Sequence, residues 1–182
     1  ACAPAGARHA LFFEQLYTRC GPAVSGLTPY AYGIGNSLQP RALFADESFD
    51  PRANETGGED DRLFAAWAEA GATFAWAADA GVIEHLAPER LTLAHGVKRA
   101  FAYGQGPCET AWAQRRYAAL ARHMSVGAAQ AITFGIGAAA CAPAAPEQAL
   151  ACLDRAARGA GKVFWFNPQR FYGEALARQT AA

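Results

Sequence analysis

The segment from Met124 to Pro146 carries no charged residue, and it limits what this chain can fold into more than any other feature. It is long enough to cross a bilayer as a helix. Alanine and glycine dominate it, however, and Pro143 interrupts its end, so its insertion would be marginal compared with a span rich in Leu, Ile and Val. The segment predicts either a membrane-associated helix or an alanine-rich helix of a protein core.

A second helical stretch, residues 148–166, combines basic residues with an aromatic run. The basic residues are Arg155, Arg158 and Lys162. Basic side chains beside aromatic ones are typical of a membrane interface. The two stretches together predict a helical hairpin that lies on or dips into a membrane leaflet, with the three cations facing anionic headgroups and with Trp165 and Phe166 at the interfacial level. The alternative is a pair of alanine-rich helices that pack on the rest of the domain.

Charge and cysteine usage exclude several classes of function. Sixteen basic residues balance sixteen acidic ones, so no net field attracts the chain to nucleic acid, and no nucleic-acid partner is predicted. The five cysteines are odd in number and contain no C-x-x-C pair. This spacing is typical of neither a disulfide framework nor a zinc site, and it fits a reducing compartment.

Periodicity and turn residues predict an α/β fold. Helices are predicted at residues 7–19, 40–44, 59–70, 90–103 and 109–122, and strands at residues 30–34, 73–76 and 81–84. The helix at 59–70 has the clearest pattern, because Leu63, Ala66 and Trp67 share one face and Gly71 provides a stop. A helix followed by two strands on this scale is typical of the edge of an α/β sheet.

Three consecutive carboxylates follow two glycines at the start of that helix. The motif is Gly57-Gly58-Glu59-Asp60-Asp61. Adjacent carboxylates repel one another, but the free N–H groups of a helix N-terminus favour negative charge and keep a carboxylate ionised, as a general base must be. Glycines without Cβ atoms allow a substrate to approach the backbone. The alternative interpretation is an acidic first turn behind a glycine loop.

Several further short segments lie along residues 33–172, and their order and spacing are informative together. They are Gly33-Ile34-Gly35-Asn36-Ser37, Phe49-Asp50-Pro51, Thr56-Gly57-Gly58-Glu59-Asp60, the segment from Gly71 to Trp76, Val82-Ile83-Glu84, Pro88-Glu89-Arg90, Arg99-Ala100-Phe101 with Gly104, and Arg155 to Lys162. In this order and spacing, the sequence resembles bacterial family-2 glycosyltransferases of the exopolysaccharide type.

The resemblance implies an α/β fold, namely the C-terminal half of a GT-A (Rossmann-like) catalytic domain at residues 1–105. A helical C-terminal region, membrane-associated in one interpretation, would follow at residues 106–182. The implied activity is inverting transfer of a sugar from a nucleotide-sugar donor to a glycan or lipid-linked acceptor, in cell-surface polysaccharide synthesis. The implied location is the cytoplasmic side of the bacterial inner membrane, or the cytoplasm.

By motif position, the resemblance implies that Asp60 is the catalytic base, which deprotonates the acceptor hydroxyl. Glu59, Asp61 and Asn36 would hold the acceptor, and Gly57 and Gly58 would shape the pocket floor. These six positions are the implied acceptor side of the site.

Residues downstream of the motif carry the implied donor side. Arg90 and Arg99 would form a positive clamp on the leaving diphosphate, with surface ion pairs as the alternative. His85 would be a metal ligand, with a structural histidine as the alternative. Glu84 stands where related branches often carry His, which departs from the family pattern.

Enzymes of this family bind the nucleotide-sugar and Mg²⁺ or Mn²⁺ through an N-terminal βαβ half that ends in an Asp-x-Asp motif. No aspartate precedes Asp46. The sequence therefore predicts that the main metal and donor ligands lie in a preceding half, and that this chain is inactive by itself. The alternative is a non-catalytic protein, membrane-associated or glycan-binding, derived from such an enzyme.

Overall fold

The computed structural model describes residue 2, residues 6–45, residue 49 and residues 58–169, and these residues are mostly helical. The elements in chain order are α1 (Ala10–Tyr17), β1 (Gly26–Thr28), a 3-10 helix (Arg41–Phe44), α2 (Glu59–Glu69), β2 (Phe74–Trp76), a second 3-10 helix (Pro88–Leu91), α3 (Leu93–Ala113), α4 (Tyr117–Cys141) and α5 (Pro146–Val163).

Helix α5 packs against both α3 and α4 with the helix backbones in direct contact. A Cβ atom on Gly161 would overlap the backbone oxygen of Phe101 in α3, and one on Gly104 would overlap that of Arg158 in α5. On the α4 side, a Cβ atom on Gly159 would overlap the backbone of Gly127. Since only glycine permits such an approach, the small residues of α5 fix where α3 and α4 lie.

Helices α4 and α5 form an antiparallel hairpin, which confirms the predicted pair of helices in this region. Gly127 lies beside Gly159, and Gly137 lies beside Cys152, so the two helices run in opposite directions. The hairpin itself is compatible with a membrane surface and with a protein core.

Helix α1 packs against the start of this helical unit. Phe12, Phe13 and Tyr17 are buried and form a cluster with Leu86. Glu147, in the first turn of α5, accepts the backbone N–H of Phe12 at 3.1 Å and lies 2.9 Å from the imidazole Nδ1 of His9. The N-terminal helix is thus held to α5 by both apolar and polar contacts.

Helix α2 and the short sheet form a second cluster. Leu63 and Trp67 are buried, as the sequence predicts, and Phe64 is buried with them, while Ala66 is half-buried. The Trp67 indole donates to the backbone oxygen of Leu43 at 2.9 Å. Strands β1 and β2 pair antiparallel, with Leu27 opposite Ala75.

Two of the three predicted strands are wrong. Residues 30–34 are not a strand; the strand lies earlier, at β1, because Pro29 ends the extended run and Gly33 adopts a φ of 127°. Residues 81–84 form no strand either, although Cys2 makes an isolated backbone bridge to His85. The strand predicted at 73–76 is confirmed as β2.

The predicted break between helices at residues 104–108 is also wrong. Helix α3 runs through Gly104, Gly106 and Pro107 without interruption, and the predicted boundary between residues 105 and 106 falls inside it. Pro107 removes one helical hydrogen bond, but the burial of Gly104 and Cys108 against α5 compensates for it. In the described residues the sheet has two strands. The larger α/β fold stays a prediction.

Two glycines of α3 provide a test of the backbone contact between α3 and α5. We expect Gly104→Ala to lower the free energy of unfolding by about 1–3 kcal/mol, because the new methyl group meets rigid backbone. Gly106→Ala is the matched control, since nothing lies within 4 Å of its Cβ position, and it should raise stability by about 0.4–1 kcal/mol. Chemical denaturation of both variants measures the difference, and a Gly104→Ala variant as stable as the control would contradict the packing.

Candidate functional site

A cavity of about 490 Å³ opens between the first turn of α2, the second half of α3 and the start of α4. Its volume lies in the range of small-molecule sites. The polar lining residues are Asp61, Arg62, Tyr103, Gln105, Glu109, Thr110, Gln114, Arg116, His123 and Gln169. The cavity therefore combines carboxylates, cations and amides.

Gly58 and Asp61 of the acidic motif line this cavity. Gly58 caps α2 with a φ of 82°, which side-chain-bearing residues rarely adopt, and nothing lies within 4 Å of its Cβ position. Glu59, Asp60 and Asp61 form the first turn, where the helix dipole favours them. Asp60 accepts the backbone N–H of Asp61 through Oδ1 at 3.0 Å. The structure therefore places the motif at a helix start beside open space.

Asp61 is the carboxylate of this turn that lines the cavity. Partial desolvation is the largest cause that raises its pKa, and the neighbouring Asp60 and Glu59 raise that pKa further, while Arg19 lowers it. A carboxylate with a raised pKa is a stronger base than an ordinary one once it is ionised.

Glu109 supplies a second carboxyl group from α3. Partial burial raises the pKa of Glu109, and the charge of Arg62 opposes that shift. Both Glu109 and Arg62 line the cavity. Carboxyl groups whose pKa values are shifted by desolvation and by specific charged neighbours, and which share one cleft, are characteristic of functional sites.

A buried amide of α3 belongs to the lining of the cavity. Gln105 is 2% exposed, and its Nε2 donates to the backbone oxygens of Phe164 at 3.0 Å and Asn167 at 2.7 Å. Its Oε1 accepts the N–H of Gln169 at 2.9 Å. Because every polar atom of this side chain is bonded, the segment after α5 is held rigidly against the cavity.

The two predicted clamp arginines lie together on one aromatic ring. The guanidinium groups of Arg90 and Arg99 lie 4.4 and 4.9 Å from the ring centroid of Tyr17. Arg99 also lies 4.5 Å from the ring centroid of Tyr103, which lines the cavity. The side chain of Tyr103 therefore lies between the predicted clamp and the cavity.

The two arginines differ in their polar partners. Arg90 forms an ion pair with Glu84. The Nη1 atom of Arg99 is buried, and it has no hydrogen-bond partner in the described part of the chain. Desolvation, followed by the charges of Arg90 and Arg99, lowers the pKa of the nearby His95. The surroundings of Tyr17 are thus electropositive, and Arg99 keeps one buried N–H group that no described residue accepts.

Gly58 and Asp61 are the described site residues from the sequence prediction that line this cavity, whereas Glu59, Asp60, Asn36, Arg90, Arg99 and His85 do not line it. Asp60 stands one position from the lining residue Asp61, within the same turn. Asn36 lies in a second cavity of about 490 Å³, lined by Tyr30, Tyr32 and Trp76 among others, and donates to the backbone oxygen of Ala80 at 2.7 Å. Gly57 lies outside the described residues.

His85, the predicted metal ligand, is exposed and belongs to the backbone bridge with Cys2. The described residues contain no group of three or more His, Cys, Asp and Glu side chains that could hold a metal ion. Mg²⁺ and Mn²⁺ require several oxygen ligands, so the residues present here do not fit the implied ion. No chemical step at this site is assigned to a metal.

Sequence reasoning missed Arg62, Tyr103, Gln105 and Glu109. A signal was present for Glu109, since it is the last acidic residue before a long stretch that lacks acidic side chains as far as Glu147. An isolated carboxylate at the edge of such a stretch is costly to bury and is often functional.

Comparisons of this chain with protein-family models, with characterised proteins and with solved structures find no match. The glycosyltransferase resemblance therefore depends on the motifs quoted above.

The raised pKa of Asp61 gives a test of this site in the folded protein. A carboxyl group whose pKa is higher in the folded than in the unfolded state contributes stability below its ordinary pKa of 3.8, and this contribution is lost as the pH rises through the raised value. We therefore expect Asp61→Asn to increase the free energy of unfolding more at neutral pH than near pH 3.8. Asp79→Asn, which removes an exposed loop carboxylate, is the control. Denaturation at both pH values measures the difference, and equal increments for the two variants would contradict the assignment.

Proposed function

We propose that this chain carries the acceptor side of an inverting glycosyltransferase of the exopolysaccharide type. The observation that carries the proposal is that Asp61 of the acidic turn and Tyr103 line one cavity, while Arg99 of the predicted diphosphate clamp lies on the Tyr103 ring. Sugar transfer from a nucleoside diphosphate requires a general base for the acceptor hydroxyl and cations for the leaving diphosphate, and carboxylates and arginines lie in or beside this cavity.

In this mechanism the acceptor is seated in the cavity with one hydroxyl group near the acidic turn. The carboxylate takes the hydroxyl proton as the acceptor oxygen forms its bond to the anomeric carbon. The bond from that carbon to the diphosphate oxygen breaks on the opposite face, which inverts the configuration. Arg99 and Arg90 stabilise the negative charge on the departing diphosphate. Proton, electron pair and leaving group are thereby all accounted for.

Two carboxylates of the turn can serve as the base. The sequence motif favours Asp60, while the cavity lining and the raised pKa bring Asp61 into consideration. Because Asp60 accepts the backbone N–H of Asp61, the two side chains have distinct environments. We retain Asp60 as the base and assign Asp61, with Glu109, to the acceptor hydroxyls.

The nucleotide-sugar donor, its Mg²⁺ or Mn²⁺ ion and their main ligands remain expectations from the resemblance. The proposed acceptor is a glycan or a lipid-linked sugar, and the proposed location is the cytoplasmic face of the bacterial inner membrane. No nucleic-acid partner is proposed.

A second candidate function, glycan binding without turnover, is favoured by the second cavity. Tyr32 lies 4.8 Å from Trp76 and 5.1 Å from Tyr30 between ring centroids, so an aromatic surface lies beside the polar groups of Asn36 and Ser37. Aromatic faces combined with a few polar groups are suited to ligands that are apolar on one side and polar on the other, such as sugars.

Substitution of the two aspartates in the intact protein separates these functions. We expect Asp60→Asn to reduce turnover by at least ~10²-fold with donor binding little changed, because general-base catalysis is lost. Asp61→Asn should instead raise the KM for the acceptor. Asp79→Asn serves as the control and should behave as wild type in steady-state transfer assays.

The opposite pattern, with the loss of turnover in Asp61→Asn, would transfer the role of base to Asp61. Wild-type turnover in both variants would exclude the acidic turn from catalysis. Saturable glycan binding that is lost with Trp76→Ala, in a protein that shows no transfer, would support the second candidate function.

A further inference from the structure

The outer face of α4 is apolar and faces solvent. Its inner face packs on α5 through Gly127, and away from it Ile132 and Ile136 are 65% and 67% exposed. Val126, Ala129 and Thr133, which share this face by helical spacing, are also exposed. By length and composition, the helix could cross a membrane, since its most apolar 18 residues have a mean hydropathy of 1.4. Only 6% of that stretch is buried inside the structure. An apolar face of this length that no described residue covers indicates a surface that contacts something else.

The charge around this face has a single sign. Between Glu109 and Glu147 the sequence contains no acidic residue, and its charged residues there are Arg115, Arg116 and Arg122. All three arginines are exposed, and Arg122 lies on the outer face of α4. Cations beside an uncharged apolar surface are complementary to anionic lipid headgroups.

An aromatic cluster lies at the same end of α4. Trp112 and Tyr117 are 53% and 57% exposed, with their ring centroids 5.7 Å apart. Trp165 lies 5.4 Å from Trp112. Exposed tryptophan and tyrosine rings prefer the level of the headgroups at a membrane surface.

The position of α5 argues against a helix that crosses the bilayer. The Lys162 amine donates to the Gln130 amide at 2.6 Å, near the middle of α4. Arg155 lies 5.2 Å from the ring centroid of Phe134, and Asp154 pairs with Arg158. If α4 spanned the membrane, these charges would lie at hydrocarbon depth, which is costly. With α4 in the plane of the surface, α5 stays on the aqueous side.

We infer that α4 lies in the plane of an anionic membrane, with Ile132 and Ile136 inserted at the interface and Arg115 and Arg122 bound to headgroups. The sequence favours Arg155, Arg158 and Lys162 for this role, but in the structure they contact Phe134, Asp154 and Gln130 respectively. Membrane binding does not depend on the proposed function, but the two are linked in space. Arg116, in the same arginine group, lines the candidate cavity, so a lipid-linked acceptor would enter it beside the headgroups.

The probe is vesicle binding by the intact protein, with phosphatidylcholine vesicles that contain or lack phosphatidylglycerol. We expect binding to the anionic vesicles only, weakening as salt is added. Arg115→Gln and Arg122→Gln should each weaken binding by about 5-fold, and together by roughly 30-fold. Ile132→Ser combined with Ile136→Ser should weaken it by at least about 10-fold. Thermal melts confirm that each variant is folded.

Arg155→Gln is the matched control for Arg122→Gln, since both remove one cation from the hairpin, and binding of the control should be unchanged. A loss with Arg155→Gln but not with Arg122→Gln would overturn the inference in favour of the α5 surface. Absence of binding to anionic vesicles would overturn it too, as would resistance of the cellular protein to extraction at alkaline pH, which indicates a span. Because vesicle binding needs no donor sugar, these outcomes are independent of those for Asp60.

Discussion

The direct backbone contact of α5 with α3 and α4 determines the rest of the helical unit. Gly104 and Gly161 allow α3 to approach α5, and Gly159 does the same for α4. Once this face of α3 is committed to α5, the residues on its other side, including Glu109, are directed to the cavity. Gln105 joins the two regions, because its buried amide holds the chain after α5 while its side chain also forms part of the cavity wall. The site is therefore a consequence of glycine packing on the opposite side of the same helix.

The charged groups in and beside the cavity lower the stability of the folded protein, as is common at functional sites. Helix α2 begins with three carboxylates, and the dipole offsets only part of their mutual repulsion. Both Asp61 and Glu109 have a raised pKa, so keeping them ionised costs stability at neutral pH. Arg99 also lowers stability, because one of its buried nitrogens has lost its hydration and has no hydrogen-bond partner in the described residues. Such costs persist where a bound ligand compensates for them.

Elements that depend on neighbouring residues along the chain could be predicted from the sequence. The periodicity of Leu63 and Trp67 and the stop at Gly71 predicted α2, and the uncharged segment before Pro146 predicted a helical hairpin. The strands were placed less well, because strand pairing depends on a partner far along the chain and Pro29 cut one run short. The continuity of α3 through Pro107 depends on burial against α5, which no local signal reveals. The acidic turn has a local signal and was predicted. The cavity beside it is formed by segments that are distant in the sequence, so it was not.

The orientation of α4 shows how far a sequence pattern can determine a surface. Apolar residues occur on every side of α4, so its sequence does not indicate which side meets α5. Helix α5 has a clear polar face, and for that reason the sequence predicts that its cations bind the lipid headgroups. In the structure, the amine of Lys162 is bonded to Gln130, so part of that polar face is an internal surface between the two helices. The opposite side of α4 is then exposed, and no residue in the described part of the chain covers it. Arg122, which had no role in the sequence pattern, acquires one solely from the packing of its neighbours.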